Sequence, residues 1–409
     1  MSRLWDKGAP LDQRVLEYTA GEDFALDDRL VKYDALASIA HAQMLTEQGL
    51  LAAADLVAIR HGLESLAAEH ARGEWRVELE DEDGQTALER RLTARIGSAG
   101  GRVHLGRSRN DQVLTALRLY LREAIEELSR GAERAAAALD ALALAQGAIV
   151  LPGYTHMQQA MPSSVALWAG GFASEIRDDA EGLRLSGRRI ARSPLGSAAG
   201  YGTPGLPLDR EATRRALGFA SVHQPVTAVQ LSRGKGEAQI MFEIVLLMQD
   251  LSRLATDVLL FYTQEFAFLS LPDGFTTGSS IMPQKRNPDV FELLRGRSAV
   301  AQAALFEALA ITAKLPSGYQ RDLQLLKAPL FRAIDLATAS LDIAALGVAA
   351  LEFRAERVRL DPGVHAAERA NTLVVNEGIP FREAYRRVGA QLAAEVAATQ
   401  AATAATPKA

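Results

Sequence analysis

The sequence predicts an all-α protein built around a bundle of long helices. Three observations carry that prediction. Aromatic residues are only 6% of the chain, while alanine, leucine, arginine and glutamate, which favour helix, recur throughout. Apolar residues return at three- and four-residue steps over long uninterrupted runs. The stretches between those runs are short, polar and rich in glycine and proline.

Length sets the frame. A chain of 409 residues is too long for one ordinary domain. We read three parts: an N-terminal helical domain over 1–106, a central long-helix bundle over 107–355, and a small C-terminal helical domain over 356–409.

The elements follow in order. Asp27 to His70 reads as two helices. Ser38, Ile39 and Ala42 belong to the first, which ends near Gly49. Leu50, Leu51, Leu56 and Ile59 mark the second, over Thr46 to Gly62. A third helix runs from about Gln85 to Ile96 and is closed by the glycines at 97, 100 and 101. After Arg109 the scale changes. Leu114, Leu117, Leu121, Ala124, Ile125 and Leu128 line one face, and no proline interrupts the chain before Val150. Such a helix would be roughly 50 Å long. Similar runs occupy about 163–190, 236–268, 288–313 and 328–352, which makes five long helices. A shorter helix follows from about Phe381 to Thr399, and the low-complexity tail over 397–409 is expected to fray. Val77–Glu80 and residues 222–230 are the strand candidates, each without a convincing partner. No repeat of 20–50 residues is present.

Composition excludes several function classes. There are no cysteines, so disulfides, thiolate metal sites and cysteine nucleophiles are ruled out together. The formal net charge of -5 does not favour nucleic acid, which needs a basic excess or stripe. MSRLWDKGAPLDQ has no apolar core and does not read as a signal peptide. No uncharged apolar run approaches the ~20 residues that cross a bilayer. The expectation is a cytoplasmic protein with neither a membrane nor a nucleic-acid partner.

Helix bundles place unusual polar residues at the ends of their helices, and four such stretches stand out. His104-Leu105-Gly106-Arg107-Ser108-Arg109-Asn110-Asp111-Gln112 precedes the first long helix. Asn110 or Asp111 is the expected cap, and two arginines beside a helix start suit a carboxylate. Leu151-Pro152-Gly153-Tyr154-Thr155-His156-Met157-Gln158 joins two long helices, and a loop histidine is able to exchange protons near neutral pH. Thr277-Gly278-Ser279-Ser280-Ile281-Met282-Pro283-Gln284-Lys285-Arg286-Asn287-Pro288 offers serines and a lysine. A serine there becomes a base only where N–H groups and cations stabilise its alkoxide. Ser317-Gly318-Tyr319-Gln320-Arg321-Asp322-Leu323-Gln324, followed by Lys327, brings Tyr319, Gln324 and Lys327 to one helix start. Taken singly, each stretch is also what a capped helix or a solvated loop produces.

Two near-matches fail their context. Gly200-Tyr201-Gly202-Thr203-Pro204-Gly205 fits GxGxxG but holds a proline and follows no strand. Gly234-Lys235-Gly236 lacks the spacing of a phosphate loop. The seven histidines lack metal-ligand spacing, so no metal site is expected.

Taken in order, HLGRSRNDQ, GYTHMQ, GSSIMPQKRNPD and SGYQRDLQ resemble the argininosuccinate lyases of the fumarase and aspartase superfamily. The resemblance runs from Leu4-Trp5 to about Gly389. GSSxMPxKxN marks the superfamily, and GRSRNDQ is much narrower. The resemblance implies three largely helical domains and a homotetramer whose bundles form a twenty-helix core. Each active site would take loops from three subunits. The small-molecule substrate would be L-argininosuccinate, eliminated reversibly to L-arginine and fumarate without a cofactor. Ser279 matches the family's base, and Lys285 and Asn287 match the groups that hold the carboxylate and its developing charge. Thr155 and His156 match the second loop, with His156 assisting the leaving nitrogen and Glu292 orienting it. Arg109 and Asn110 would bind substrate, as would Tyr319, Gln324 and Lys327.

The sequence departs from the family in places. Gln85 stands where the EDxH pattern has histidine, and it cannot titrate. Asp83 remains as an orienting group. Leu105 replaces a small residue, often threonine. Thr19-Ala20-Gly21-Glu22-Asp23 offers no serine where the family has one, and its acids would repel a carboxylate if they pointed inward. The C-terminus also reads as short. These departures leave two alternatives beside the main one: a catalytically retired, crystallin-like structural protein, and a lyase for an acylated argininosuccinate. GRSRNDQ argues against adenylosuccinate.

Overall fold

The computed structural model describes residues 12–404, with side chains to Ala398. Leu4-Trp5 and residues 405–409 lie outside the described residues. The chain is helical, as the periodicity requires. The five long helices are Arg109–Gln146, Val165–Ile190, Lys235–Tyr262, Asp289–Thr312 and Lys327–Ala349. None of the described helices is long and apolar enough to cross a membrane.

The third long helix stops earlier than its apolar run. Ala267 takes φ 51° and the Phe268 N–H returns to Phe261 O at 2.9 Å, which reverses the chain. Leu269–Ser270 then pairs antiparallel with Glu352–Phe353. The last helix, Phe381–Ala404, runs past Thr399. Helices Arg210–Ala216 and Ala366–Glu377 were not anticipated.

Three local expectations are corrected. Residues 151–158 are not a loop: Val150–Thr155 and Gln158–Ser164 form an antiparallel hairpin. Val77–Glu80 is not a strand, since Leu79–Asp81 turns as a short 3-10 helix closed by Glu78 and Asp81. Within 222–230 the only paired strand residue is Val222, in Ser221–Val222 parallel to Arg192–Ser193, and Ala228–Leu231 is a helical turn.

Contacts divide the chain into two units, and every one of the five long helices is shared between them. The first unit comprises Met1–Gly131, Asp178–Gln249 and Arg297–Ser340. Val31–Glu47, Ala53–Ala71 and Gly84–Ile96 pack there around Leu45, Ile59, Leu63 and Leu92. Each such leucine or isoleucine stabilises the fold by about 1.5–3 kcal/mol through burial. Gly62 allows the close approach, because a Cβ there would lie 2.6 Å from Leu92 Cδ1.

The second unit comprises Ala132–Arg177, Asp250–Gly296 and Leu341–Ala409. Trp168 packs edge-on against Phe353, and its indole N–H donates to Asp257 Oδ2 at 3.0 Å. Gln146 bridges to the returning strand, donating to Leu351 O and accepting from Phe353 N. Ala366–Glu377 and Phe381–Ala404 enclose a small core of Ala370, Ala384 and Val388, with Gly378 as the left-handed stop between them.

Candidate active site

In the first unit, the motif 104–112 opens the helix Arg109–Gln146. Ser108, not Asn110 or Asp111, caps it. Ser108 Oγ accepts the Asn110 N–H at 3.3 Å, and Asp111 Oδ1 accepts the Ser108 N–H at 3.0 Å. This reciprocal arrangement leaves Asp111 free to do more. Its Oδ2 accepts the N–H groups of Gly196 and Ala198, each at 2.9 Å.

The two arginines of the motif have different partners. Arg107 is buried and donates to Ser38 Oγ at 2.7 Å, with Asp34 among its charged neighbours. Burial pushes the Asp34 carboxyl up to about 7, against the opposing charge of Arg107. Arg109 is half-buried, and its Nη1 lies 2.8 Å from Asp83 Oδ2. Asp83 thus fixes the Arg109 guanidinium, while its other oxygen caps the preceding helix at Thr86 N. Arg107 and Arg109 both line a cavity of about 260 Å³ together with Gln85, Glu89, His104 and Gln112. Gln85 Oε1 is buried there with no donor. Leu105 lines neither this cavity nor the narrower one beside it.

That narrower cavity, about 10 Å³, brings together Arg109, Tyr319, Gln324 and Lys327. Lys327 does not present a free ammonium. Its Nζ lies 2.7 Å from Asp23 Oδ1 and also bonds Asp27 Oδ1. Asp27 Oδ2 in turn accepts the Gly84 N–H at 2.9 Å. Burial pushes the Asp23 carboxyl up to about 6 in spite of Lys327. Burial alone would lower the Lys327 pKa, but the charges of Asp27 and Asp23 outweigh it and hold it above its ordinary value. Gln324 Nε2 donates to Thr19 O at 3.0 Å and to Ala20 O at 3.3 Å. The Arg233 guanidinium lies 5.7 Å from the centre of the Tyr319 ring. Asn110, next to Arg109, is half-buried and lines neither cavity.

In the second unit, His156 and Met157 are the two loop residues of the hairpin, with φ 52° and 62°. Two positive φ values are what a two-residue hairpin turn requires, and asparagine or glycine is the usual choice. Non-glycine residues here carry strain, which is concentrated at functional sites. The turn holds His156 exposed at the tip, with Thr155 paired to Gln158 beneath it.

The segment 277–287 is closed at its base. Thr277 N donates to Asn287 O at 3.0 Å, and Asn287 N donates to Thr277 O at 2.8 Å. Within the loop, Ser279 Oγ accepts the N–H groups of Ile281 at 3.3 Å and Met282 at 3.2 Å. These are donors of the kind that stabilise a serine alkoxide. Asn287 Nδ2 points back to Thr277 Oγ1 at 3.4 Å. Lys285 is exposed, and Ile281, in the same loop, is 82% exposed. Glu292 lies exposed in the first turn of Asp289–Thr312. Among the described residues of one chain no hydrogen bond joins it to the exposed His156.

The predicted residues therefore fall into two groups. Arg109, Asn110, Tyr319, Gln324 and Lys327 belong to the first unit, and Thr155, His156, Ser279, Lys285, Asn287 and Glu292 to the second. Sequence reasoning missed the partnership of Asp27 and Asp23 with Lys327, and it missed Arg233. The signal for Arg233 lay in the polar, glycine-broken stretch around Gly234-Lys235-Gly236, which fails only as a phosphate loop.

Comparison with known proteins gives this geometry a family. A lyase family model matches residues 11–303. A protein of Sorangium cellulosum named argininosuccinate lyase is 49% identical, over 96% of this chain and 91% of its own length. The chain belongs to the argininosuccinate lyase family. A second family member, from Stenotrophomonas maltophilia, is 42% identical over 95% of this chain and 90% of its own. Among solved structures, an EDDS lyase variant with bound fumarate superposes with a TM-score of 0.79 at 26% identity, covering 96% of this chain and 78% of that one. The class II fumarase of Schistosoma mansoni shares the fold, with a TM-score of 0.76 over 93% of this chain and 89% of its own at 18% identity.

Proposed function

We propose that the protein eliminates fumarate from L-argininosuccinate, releasing L-arginine, with Ser279 as the base. Ser279 takes the proton from the carbon next to a carboxylate. The electron pair then expels the guanidino nitrogen, and that nitrogen gains a proton with help from His156. The dianionic intermediate is costly unless donors are already in place. Lys285 and Asn287 supply them at the carboxylate, Thr155 binds beside His156, and Glu292 orients that histidine. Arg109 and Asn110 hold the substrate from the first motif, and Tyr319, Gln324 and Lys327 hold its other end.

The observation that carries this reading is the pair of backbone N–H groups on Ser279 Oγ, in a loop closed by Thr277 and Asn287. The membership of the chain in the argininosuccinate lyase family stands beside it.

We further propose a cytoplasmic homotetramer in which three chains contribute to each site. Exposed apolar residues on the long helices support it, Leu167 at 69% and Phe306 at 73% among them. The division into 1–106, 107–355 and 356–409 is our reading of the domain order.

The test is the release of fumarate from L-argininosuccinate, followed by its ultraviolet absorbance, with Ser279→Ala run beside the parent. Turnover in the parent and a fall of about a thousandfold or more in the variant support the reading. A tetramer that releases nothing points to a retired scaffold, and equal rates in the two proteins remove Ser279 as the base.

A further inference from the structure

We propose that Gln159 is a positioning residue for His156. Its side-chain amide clamps the hairpin to the backbone of Arg359 and Asp361, and that clamp fixes where the strained turn is held. This rests on the lyase reading above, in which His156 assists the leaving nitrogen, and it names the group that aims the histidine.

The argument begins with the hairpin. Val150–Thr155 and Gln158–Ser164 form a sheet of two strands only. Such a pair is marginally stable in water unless something packs on it. Its base is closed by the Val165 N–H, which donates to Ile149 O at 3.0 Å. From Ile149 to His156 is roughly 24 Å along a strand. The ladder is also irregular. Gly153 faces Met161 and Tyr154 faces Gln159, so Ala160 is left over as a bulge. A bulge bends its strand, and a slip of one residue turns side chains to the opposite face. A hairpin so built does not aim His156 by itself.

Gln159, next to the bulge, supplies the missing hold. Its Nε2 donates to Arg359 O at 2.9 Å, and its Oε1 accepts the Asp361 N–H at 2.8 Å. A turned amide would set donor on donor and acceptor on acceptor, so the two partners fix its orientation. The receiving segment is itself tied down. Glu352–Phe353 pairs with Leu269–Ser270, and the Arg354 N–H donates to Phe268 O at 2.7 Å. The Arg359 guanidinium turns back to Glu356 O at 2.7 Å, and Asp361 Oδ1 accepts the Gly363 N–H at 2.7 Å. Met161 and Pro162 of the hairpin line one cavity with the buried Val364. Measured from Gln159, His156 is only roughly 10 Å away along the strand. The same angular sway then moves the imidazole less than half as far. A displacement of about 1 Å at a reacting group costs up to about a hundredfold in rate.

The test uses the full chain in its native assembly, with methionine labelled at its methyl carbon for nuclear magnetic resonance. Met157 sits in the turn and reports its conformation, and Met157→Leu assigns its signal. The buried Met44, Met241 and Met248 report that the fold is kept. Gln159→Glu keeps the shape and the acceptor but loses the donor, and Gln159→Leu loses both. Each variant should lower kcat for fumarate release by about tenfold or more, while KM changes by less than about threefold. Each should also shift and broaden the Met157 signal and leave those of Met44, Met241 and Met248 in place. An unmoved Met157 signal overturns the proposal, as does an unchanged kcat or a loss that falls on KM alone. The methyl signal separates the two readings. A parent that releases no fumarate, with Met157 displaced in the variants, removes the lyase reading and keeps the clamp. Equal turnover in all three proteins with Met157 unmoved does the reverse.

Discussion

Asp111 Oδ2 accepts the Gly196 N–H at 2.9 Å, joining residues 85 positions apart. The same oxygen accepts from Ala198, and Oδ1 accepts from Ser108, so one buried carboxylate ties the first motif to the glycine-rich segment 196–205. Asp111→Asn must turn an amide toward N–H donors whichever way it flips. It should destabilise the fold by about 2–3 kcal/mol, since buried donors lose their acceptor. Urea denaturation of parent and variant checks this. A midpoint unchanged from the parent would mean that water replaces the lost bonds.

Lys327→Met leaves Asp23 and Asp27 buried without their cation. Breaking a buried pair from one side costs about 3–5 kcal/mol. The deficit should shrink on acidification. The Asp23 carboxyl is already raised to about 6 by burial, and losing Lys327 raises it further, so protonation removes the uncompensated charge. Thermal melts at pH 5 and pH 8 should therefore show the smaller deficit at pH 5. A deficit independent of pH would assign the loss to packing.

Met157 sits at φ 62° in the hairpin turn. Met157→Gly relieves a left-handed conformation that costs a side chain on the order of 1 kcal/mol. The variant should gain about 0.5–1 kcal/mol in chemical denaturation. The cost of the greater chain entropy of glycine is already within that figure. A loss of stability would show that the Met157 side chain packs, despite its exposure.

His41 Nε2 lies 2.8 Å from Leu105 O, and burial, with Arg107 and His104 nearby, lowers its pKa to about 3. The unfolded chain takes up this proton near the ordinary value of 6.5. The contribution of neutral His41 is therefore full above 6.5 and is lost as the pH falls toward 3. His41→Gln keeps a donor for Leu105 O and removes the titration. Between pH 7 and pH 4.5 the parent should lose on the order of 2 kcal/mol more than the variant. Asp23, Asp34 and Asp111, all with raised carboxyls, push stability the other way over this range. They are present in both proteins, so the difference isolates His41. Parallel pH curves would remove the histidine as the cause.

Much of the fold was legible because helix periodicity is local. The apolar steps from Leu114 to Leu128 lie on one face whatever the rest of the chain does, and so do those in the other long runs. The helix starts at Gly84 and Arg109 lie close to where the polar stretches placed them. The hairpin over 150–164 was not legible. Its strands are short, contain two prolines and do not alternate, and the turn uses His156 and Met157 where glycine or asparagine would have signalled it.

The sequence by itself determined the helical class, the four polar stretches and the residue types able to do the chemistry. The tertiary structure alone decided their charge states and partners. Lys327 reads as a free cation along the chain, yet it meets Asp27 across 300 positions. Arg107 and Arg109 look alike in the motif and line one cavity, but the first is buried against Ser38 and the second is paired with Asp83. The reason is physical. Periodicity acts between neighbours in sequence, whereas burial and ion pairing act between neighbours in space, and folding alone brings those together.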